Sequence, residues 1–454
     1  MKNLLILSCA LATGVLAALV ALHADAPHIY AIRGARVVTG AGPALDNATV
    51  VIRGGLIDAV GASVSVPAVI DMGTSAGLEI SAPARAAAAR TTEDVERAKR
   101  ESILRPQLEA ANYLKPDPPE LRRLAQAGVT TALATPPGDV MSGRSSLVNT
   151  AAPPDQPQIG SVADPRRGLL VVKTPVALHV AFTQRPQGNA YPNSLMGVIA
   201  FVRQSLVDAQ RYQLEWTRYD RVKGVARPTY DQSLAALGPA LEGKLPVAFE
   251  ADLAREIRRA LAMANEFKLD PIVTGAQEAN QVADELKAAG ARVIVDLNFP
   301  TRSRLLAPDA DEPLRELQLR ANVPKVAAAL DQAGITFAFR SGGLSDPKDF
   351  LKNASRTLKA GLSSEAALRA LTTSAAKIAG VADRLGSIEK GKIANVIVTT
   401  GDLFDEKTTI QRVFVDGRPV ALEPGPEQTR RPTSNEARRD ASASRMVHLF
   451  RDGS

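Results

Sequence analysis

Apolar and polar residues alternate with period two in "IYAIRGARVVTGAG" (29–42) and "ATVVIRGGLIDAVG" (48–61), and glycines break the runs. That texture predicts half-buried strands joined by turns. It returns near the other end, in "GSIEKGKIANVIVTTGD" and "TIQRVFVDGRPVAL". Neither half has enough strands to bury a face alone, so the two ends are expected to build one small β-sandwich together. Between them the period changes. Short apolar runs stand at 128–135, 174–182, 245–251, 271–276, 291–297 and 334–339, and amphipathic patterns such as "DLAREIRRALAMANEF" and "QEANQVADELKAAG" follow several of them. Strand and helix in repeated alternation imply a parallel sheet, and about eight such units close into a TIM-like (β/α)8 barrel. The expected fold class is therefore α/β, with the barrel at 76–383 and the two halves of the composite β domain at 27–75 and 384–422.

Two terminal segments depart from this pattern. Residues 1–26 carry one lysine, an apolar run from Leu4 to Leu22 and a small-residue exit at Ala24-Asp25-Ala26. They predict an export signal, or an inner-membrane anchor if the run is kept, so the folded part is expected in the periplasm or otherwise outside the cytoplasm. Residues 423–454 set six arginines among Pro, Ser and Ala, a composition that cannot bury a core and reads as a basic, disordered tail.

Composition then removes function classes. The net charge of +7 is spread along helices with interleaved acids, and aromatics are 4%, so no nucleic-acid face is expected. Cys9 is the single cysteine and lies in the N-terminal apolar run, which leaves no internal disulfide and no cysteine metal site. The serines of "GRSSLVN" (143–149) lack a nucleophile elbow and a histidine partner.

The stretch "AGLSSEAALRALTTSAAKIAGVADRLGSIEKGKIANVIVTTGD" followed by "IQRVFVDGRPV" resembles the amidohydrolase superfamily, in particular its imidazolonepropionase-like bacterial members. "IRGARVVTGAG" and "LAQAGVTTALATPPG" are similar to other parts of that pattern, so the resemblance runs from about 29 to 422. It implies hydrolysis of non-peptide C–N bonds by zinc or another divalent metal, which lowers the pKa of bound water from about 15.7 toward 7. It also implies where the ligands should stand. With "AGLEISAPA" set against the usual His-x-His segment, the two imidazole positions fall on Ala82 and Ala84. The strand 5 position falls on Glu250, the strand 6 position on Gly275 and the final aspartate position on Gly342. Methyl groups and bare backbone cannot donate a lone pair to a cation, so no metal and no cofactor are expected.

Of four histidines, only His179 sits on a predicted barrel strand. Glu250 is expected to pair with His179 or with Arg340 across the mouth, since a buried carboxylate needs a partner or a raised pKa. Candidate catalytic residues are Glu250, His179 and Ser341, and candidate binding residues are Arg340, Glu250 and Gln277, with Arg340 able to meet a ligand carboxylate. The leading expectation is an exported, non-catalytic binding or partner subunit. It would take a small molecule, form a homo-oligomer, or pair with an active amidohydrolase paralogue. The alternatives are a hydrolase of cyclic amides or related small molecules with a rearranged site, and a structural envelope protein.

Overall fold

The computed structural model describes residues 29–60, 66–80, 91–92, 103–115, 118–138, 140–151, 171–182, 192, 194–307 and 309–422. The terminal segments 1–26 and 423–454, and the positions Ala82 and Ala84, lie outside the described residues. The chain opens with β1 (Ile29–Val37), β2 (Leu45–Arg53) and β3 (Leu56–Val60), an antiparallel sheet in that order. Gly54 and Gly55, both at positive φ, make the two-residue turn between β2 and β3 that matches strand twist. Then come β4 (Val66–Pro67), β5 (Ile70–Thr74), α1 (Pro119–Gln126), β6 (Thr131–Ala134), β7 (Met141–Arg144), β8 (Ser146–Asn149), β9 (Val171–Lys173) and β10 (Leu178–Ala181).

The long α2 (Leu195–Arg221) starts where Ser194 Oγ accepts the Gly197 N–H. After it the order is α3 (Gln232–Leu241), β11 (Val247–Ala251), α4 (Ala254–Phe267), β12 (Pro271–Gly275), α5 (Ala283–Ala288), β13 (Arg292–Asp296), α6 (Leu314–Asn322), α7 (Val326–Gln332) and β14 (Phe337–Arg340). The chain continues through α8 (Asp349–Lys359), α9 (Ser364–Leu371) and α10 (Thr373–Ala379) to β15 (Val396–Thr399), β16 (Ile410–Val415) and β17 (Arg418–Pro419). Each of the six strands expected from the apolar runs is present, five within their runs and β14 running one residue past its own, to Arg340. Among the described residues no helix is long and apolar enough to cross a membrane.

The two chain ends share one apolar cluster: Val37, Val50, Ile52 and Ile57 of the first sheet pack with Ile388, Val396 and Phe414. The sheet of Phe414 has the order β17-β16-β15-β4. Backbone bonds also join the halves, with Ile57 N donating to Lys392 O and Ala394 N to Gly55 O.

β5 departs from the sequence assignment. It was placed in the β domain, but it pairs parallel with β6 in a sheet ordered β5-β6-β8-β9. The larger sheet has the order β14-β13-β12-β11-β10-β7, and its strands β10 to β14 are parallel neighbours. Both sheets contribute to a single inner cluster: Ile70 and Met72 (β5), Leu133 (β6), Leu147 (β8), Ala248 (β11), Ile272 (β12), Ile294 (β13) and Ala338 (β14). Val247 and Phe249, on the other face of β11, pack instead with Val202 and Leu206 of α2 and Ala260 and Met263 of α4. The strands are thus covered on both faces, which is why their sequence reads as continuous apolar runs.

Candidate functional site

Side chains on a strand alternate faces, so the residue two places after an inner apolar residue points the same way. Applied to the parallel strands, the rule carries Ala248 to Glu250, Ile272 to Thr274, Ile294 to Asp296 and Ala338 to Arg340. An apolar layer is therefore followed, toward the carboxyl ends of the strands, by a layer of polar and charged residues. Register places Ala181 beside Glu250, Glu250 beside Thr274, and Asp296 beside Arg340.

Arg340 is the hub. Its Nη2 donates to Glu250 Oε1 at 3.1 Å and to Asp296 Oδ2 at 3.3 Å. The side chains of Arg340 and Asp296 are 13% and 11% exposed, whereas that of Glu250 is 51% exposed. Burial works against the arginine's charge, but Glu250 and Asp296 outweigh it and hold the guanidinium above its ordinary pKa. Asp296 Oδ1 also accepts the Asn298 N–H at 2.7 Å. Burial pushes the Asp296 carboxyl up and Arg340 opposes the shift.

Two further acids complete the cluster. Asp71, fully buried on β5, accepts the backbone N–H of Ser341 at 2.8 Å and of Gly73 at 3.2 Å on Oδ1, while Oδ2 is buried with no partner. Burial raises its carboxyl to about 6 against those hydrogen bonds. Asp252, just beyond β11, is raised to about 6 by burial; Arg340 pulls the other way, and Asp296 and Glu250 add to the rise. Its Oδ1 is buried without a partner.

The glycines at the strand ends explain how these groups fit. A Cβ built on Gly342 would lie 1.7 Å from Asp296 Oδ1, one on Gly275 would lie 2.4 Å from Asp252 Oδ1, and one on Gly73 would lie 3.1 Å from Arg340 Cδ. Gly342 and Gly275 also adopt φ of +58° and +88°, where a side chain is strained. The resemblance expected metal ligands at Gly275 and Gly342. Instead, Asp252 and Asp296 fill the space beside Gly275 and Gly342, and Arg340 lies against Gly73.

Other expected positions can be placed too. Since β5 adjoins β14 through the Asp71 to Ser341 bond, its end brings Gly73 to the mouth, about ten residues before Ala82 and Ala84. His179 faces inward on β10 beside Gly143, half-buried, with its buried Nε2 unpartnered. Burial pushes its imidazole down to about 4, with Glu250 pulling up and Arg340 pushing further down. Ser341 is buried and its Oγ donates to Gly73 O at 3.3 Å. Gln277 lies in the turn after β12. The carboxylate-receiving role expected of Arg340 does not fit this geometry, because two acids already hold its Nη2 and the surrounding field is negative. Asp71, Asp252 and Asp296 were missed from sequence; an acid inside or just after an apolar strand run is the signal that finds them.

A profile of the amidohydrolase family matches residues 179–420, more than half of the chain. The chain belongs to the amidohydrolase family. Members of that family hydrolyse C–N bonds. The amidohydrolase TasK of Hapsidospora irregularis is 25% identical over 327 residues, which cover 67% of this chain and 32% of that protein. The chain thus spans about a third of the length of that curated relative. The crystal structure of an amidohydrolase from Thermotoga maritima superposes with a TM-score of 0.69 at 22% identity, covering 87% of this chain and all of the other. A Bifidobacterium longum protein provisionally assigned as a prolidase gives 0.50 at 17% identity, with 92% and 99% covered. Both share the fold.

The resemblance to this family implies a divalent metal at the strand ends, and the donor set can be tested against it. Among the described residues no group of three or more His, Cys, Asp or Glu side chains converges as a ligand set. A guanidinium within 3.3 Å of two of the available carboxylates would also repel a second cation. The described residues do not fit the metal.

Proposed function

We propose that this amidohydrolase-family chain does not run metal-hydroxide chemistry, and that it serves outside the cytoplasm as a non-catalytic binding or partner subunit. The two larger sheets are read as one (β/α)8-type barrel, and the chain ends as its composite β-sandwich. One observation carries the functional reading: two of the strand-end positions where the resemblance expects ligands, Gly275 and Gly342, are glycines, and the space beside them holds an internal ion pair and its neighbouring acid. The cluster of Glu250, Asp252 and Asp296 around one guanidinium supplies fixed charge to order the mouth. It supplies no open coordination position for water. Glu250, half exposed, is the group left to meet a partner or ligand, and its charge favours a cationic or hydrogen-bond-donating one.

Elemental analysis of the purified full chain after dialysis tests the reading, together with hydrolysis assays on cyclic amides and N-acylated amino acids. Zinc, iron and manganese well below one per chain and no hydrolysis above background are expected. Stoichiometric metal with chelator-sensitive hydrolysis would overturn it.

A second reading has one observation in its favour. Asp252, raised to about 6 and only partly buried, has the proton affinity of a general base at neutral pH. Hydrolysis that survives chelation and disappears in Asp252→Asn would establish that alternative.

A further inference from the structure

A cavity of about 800 Å³ lies between the segment 105–113, the edge strand β7 and one face of α3. None of Glu250, Asp252, Asp296 or Arg340 lines it. Its Arg144 end faces Leu178, at the start of β10, and its Arg105 end lies beside Met141, which opposes Val180 toward the mouth end of that strand. The volume is within the range of about 300 to 1,000 Å³ usual for small-molecule sites.

Two guanidinium groups line the cavity, and they are in different electrostatic states. Arg144 pairs with Glu109 at 3.1 Å, and the same carboxylate accepts the Thr174 hydroxyl at 2.8 Å. That charge is matched. Arg105 donates Nη2 to the Pro137 carbonyl at 3.0 Å, its Nε is buried without a partner, and among the described residues no carboxylate pairs with it. Gly138 makes the seat for this side chain, since a Cβ there would lie 2.7 Å from Arg105 Nη2. Holding a partly desolvated cation without a counter-ion is costly, and a planar carboxylate is the group that a guanidinium fork accepts best. The remainder of the wall sets the body of the ligand. Tyr113 and Tyr230, 39% and 70% exposed, stand at the cavity as flat apolar surfaces, and Ala235, Ala236 and Pro239 of α3 give an aliphatic wall.

We infer that this cavity is a binding site for a small organic carboxylate with an aromatic or acyl body, held by Arg105 and flanked by the two tyrosines.

Hippurate, which has a carboxylate, an amide and a ring, is a suitable probe, with its neutral amide as the comparison. Isothermal titration of the full chain should show saturable hippurate binding at millimolar concentration or below. Affinity for the neutral amide should be at least about tenfold weaker, as should affinity of Arg105→Gln for hippurate, a loss of about 1.4 kcal/mol. Ala235→Trp, which fills the cavity while leaving Arg105 in place, should abolish binding with an unchanged melting curve, so the site can be judged even if Arg105→Gln folds poorly. The inference fails if hippurate gives no binding up to about 10 mM. It fails equally if the neutral amide binds as tightly, or if both variants retain wild-type affinity.

Discussion

Replacing Arg340 with methionine tests the central electrostatic claim, because methionine keeps most of the aliphatic stem and removes the charge. The cost can be worked from the two partners. Asp296 is at least as buried as the arginine, and breaking such a pair by removing one member typically costs about 3 to 5 kcal/mol. Glu250 is half exposed, so water screens its share to about 0 to 1 kcal/mol. Asp252 and Asp71 lose an attractive field and take up protons more readily, which recovers part of the loss. A net destabilisation of about 3 kcal/mol is expected for Arg340→Met. Urea unfolding should show it as a lower midpoint with an unchanged slope. The double variant Arg340→Met with Asp296→Asn removes the stranded charge as well, and should be more stable than Arg340→Met alone by about 1 to 2 kcal/mol. A single variant within about 0.5 kcal/mol of wild type, or a double variant costing the sum of its parts, would refute the argument.

Gly342→Ala should cost roughly 3 kcal/mol or more in thermal unfolding, since its Cβ meets Asp296 at 1.7 Å and its φ is +58°. Gly343→Ala, at φ +82° with nothing within 4 Å, should cost only about 1 kcal/mol. The pH profile follows from opposing shifts. Asp71, raised to about 6, binds its proton more tightly folded than unfolded, so its contribution grows as pH falls through 6; Asp252 behaves alike. His179, pushed down to about 4, acts in the opposite sense and loses stability as pH falls from about 6.5 to 4. With Asp416 raised to about 6 as well, the acids outweigh the imidazole, so wild-type stability should rise by about 1 to 3 kcal/mol as pH falls from about 7 to about 4.5, and Asp71→Asn should rise by about 2 kcal/mol less over that fall. Parallel urea titrations at the two pH values check it, and parallel profiles for the two proteins would remove the buried-acid account. Asn395→Leu should cost about 2 to 4 kcal/mol in the same assay. It deletes bonds to Thr131 Oγ1 and Asn149 Oδ1, both 2.8 Å, and from the Asp416 N–H at 2.6 Å.

The period of the apolar residues made six strands and their helices legible, because strands covered on both faces must be apolar throughout. The pairing of Glu250 with Arg340 was legible too, as a charge balance at facing strand ends. The register of the first strand was not. Gly73, Thr74 and Ser75 are small and carry no strand signal, so Asp71 read as part of the β domain. Its role rests on a bond to Ser341, 270 residues away, which no local pattern encodes. The contents of the mouth were hidden for a related reason. A glycine in a sequence shows that a side chain is missing, but which neighbour takes the space depends on packing across strands.

That packing also sets an order on change. Any side chain placed at Gly342 or Gly275 would first meet a carboxylate, and one at Gly73 would meet the stem of Arg340. A single substitution toward a ligand-bearing residue is therefore penalised before it can contribute anything. Arg340 and at least one acid would have to change first, through intermediates that carry the cost of a broken ion pair with no metal to offset it. An engineer seeking to place metal ligands at these strand ends should alter the arginine, the acids and the glycines in one design.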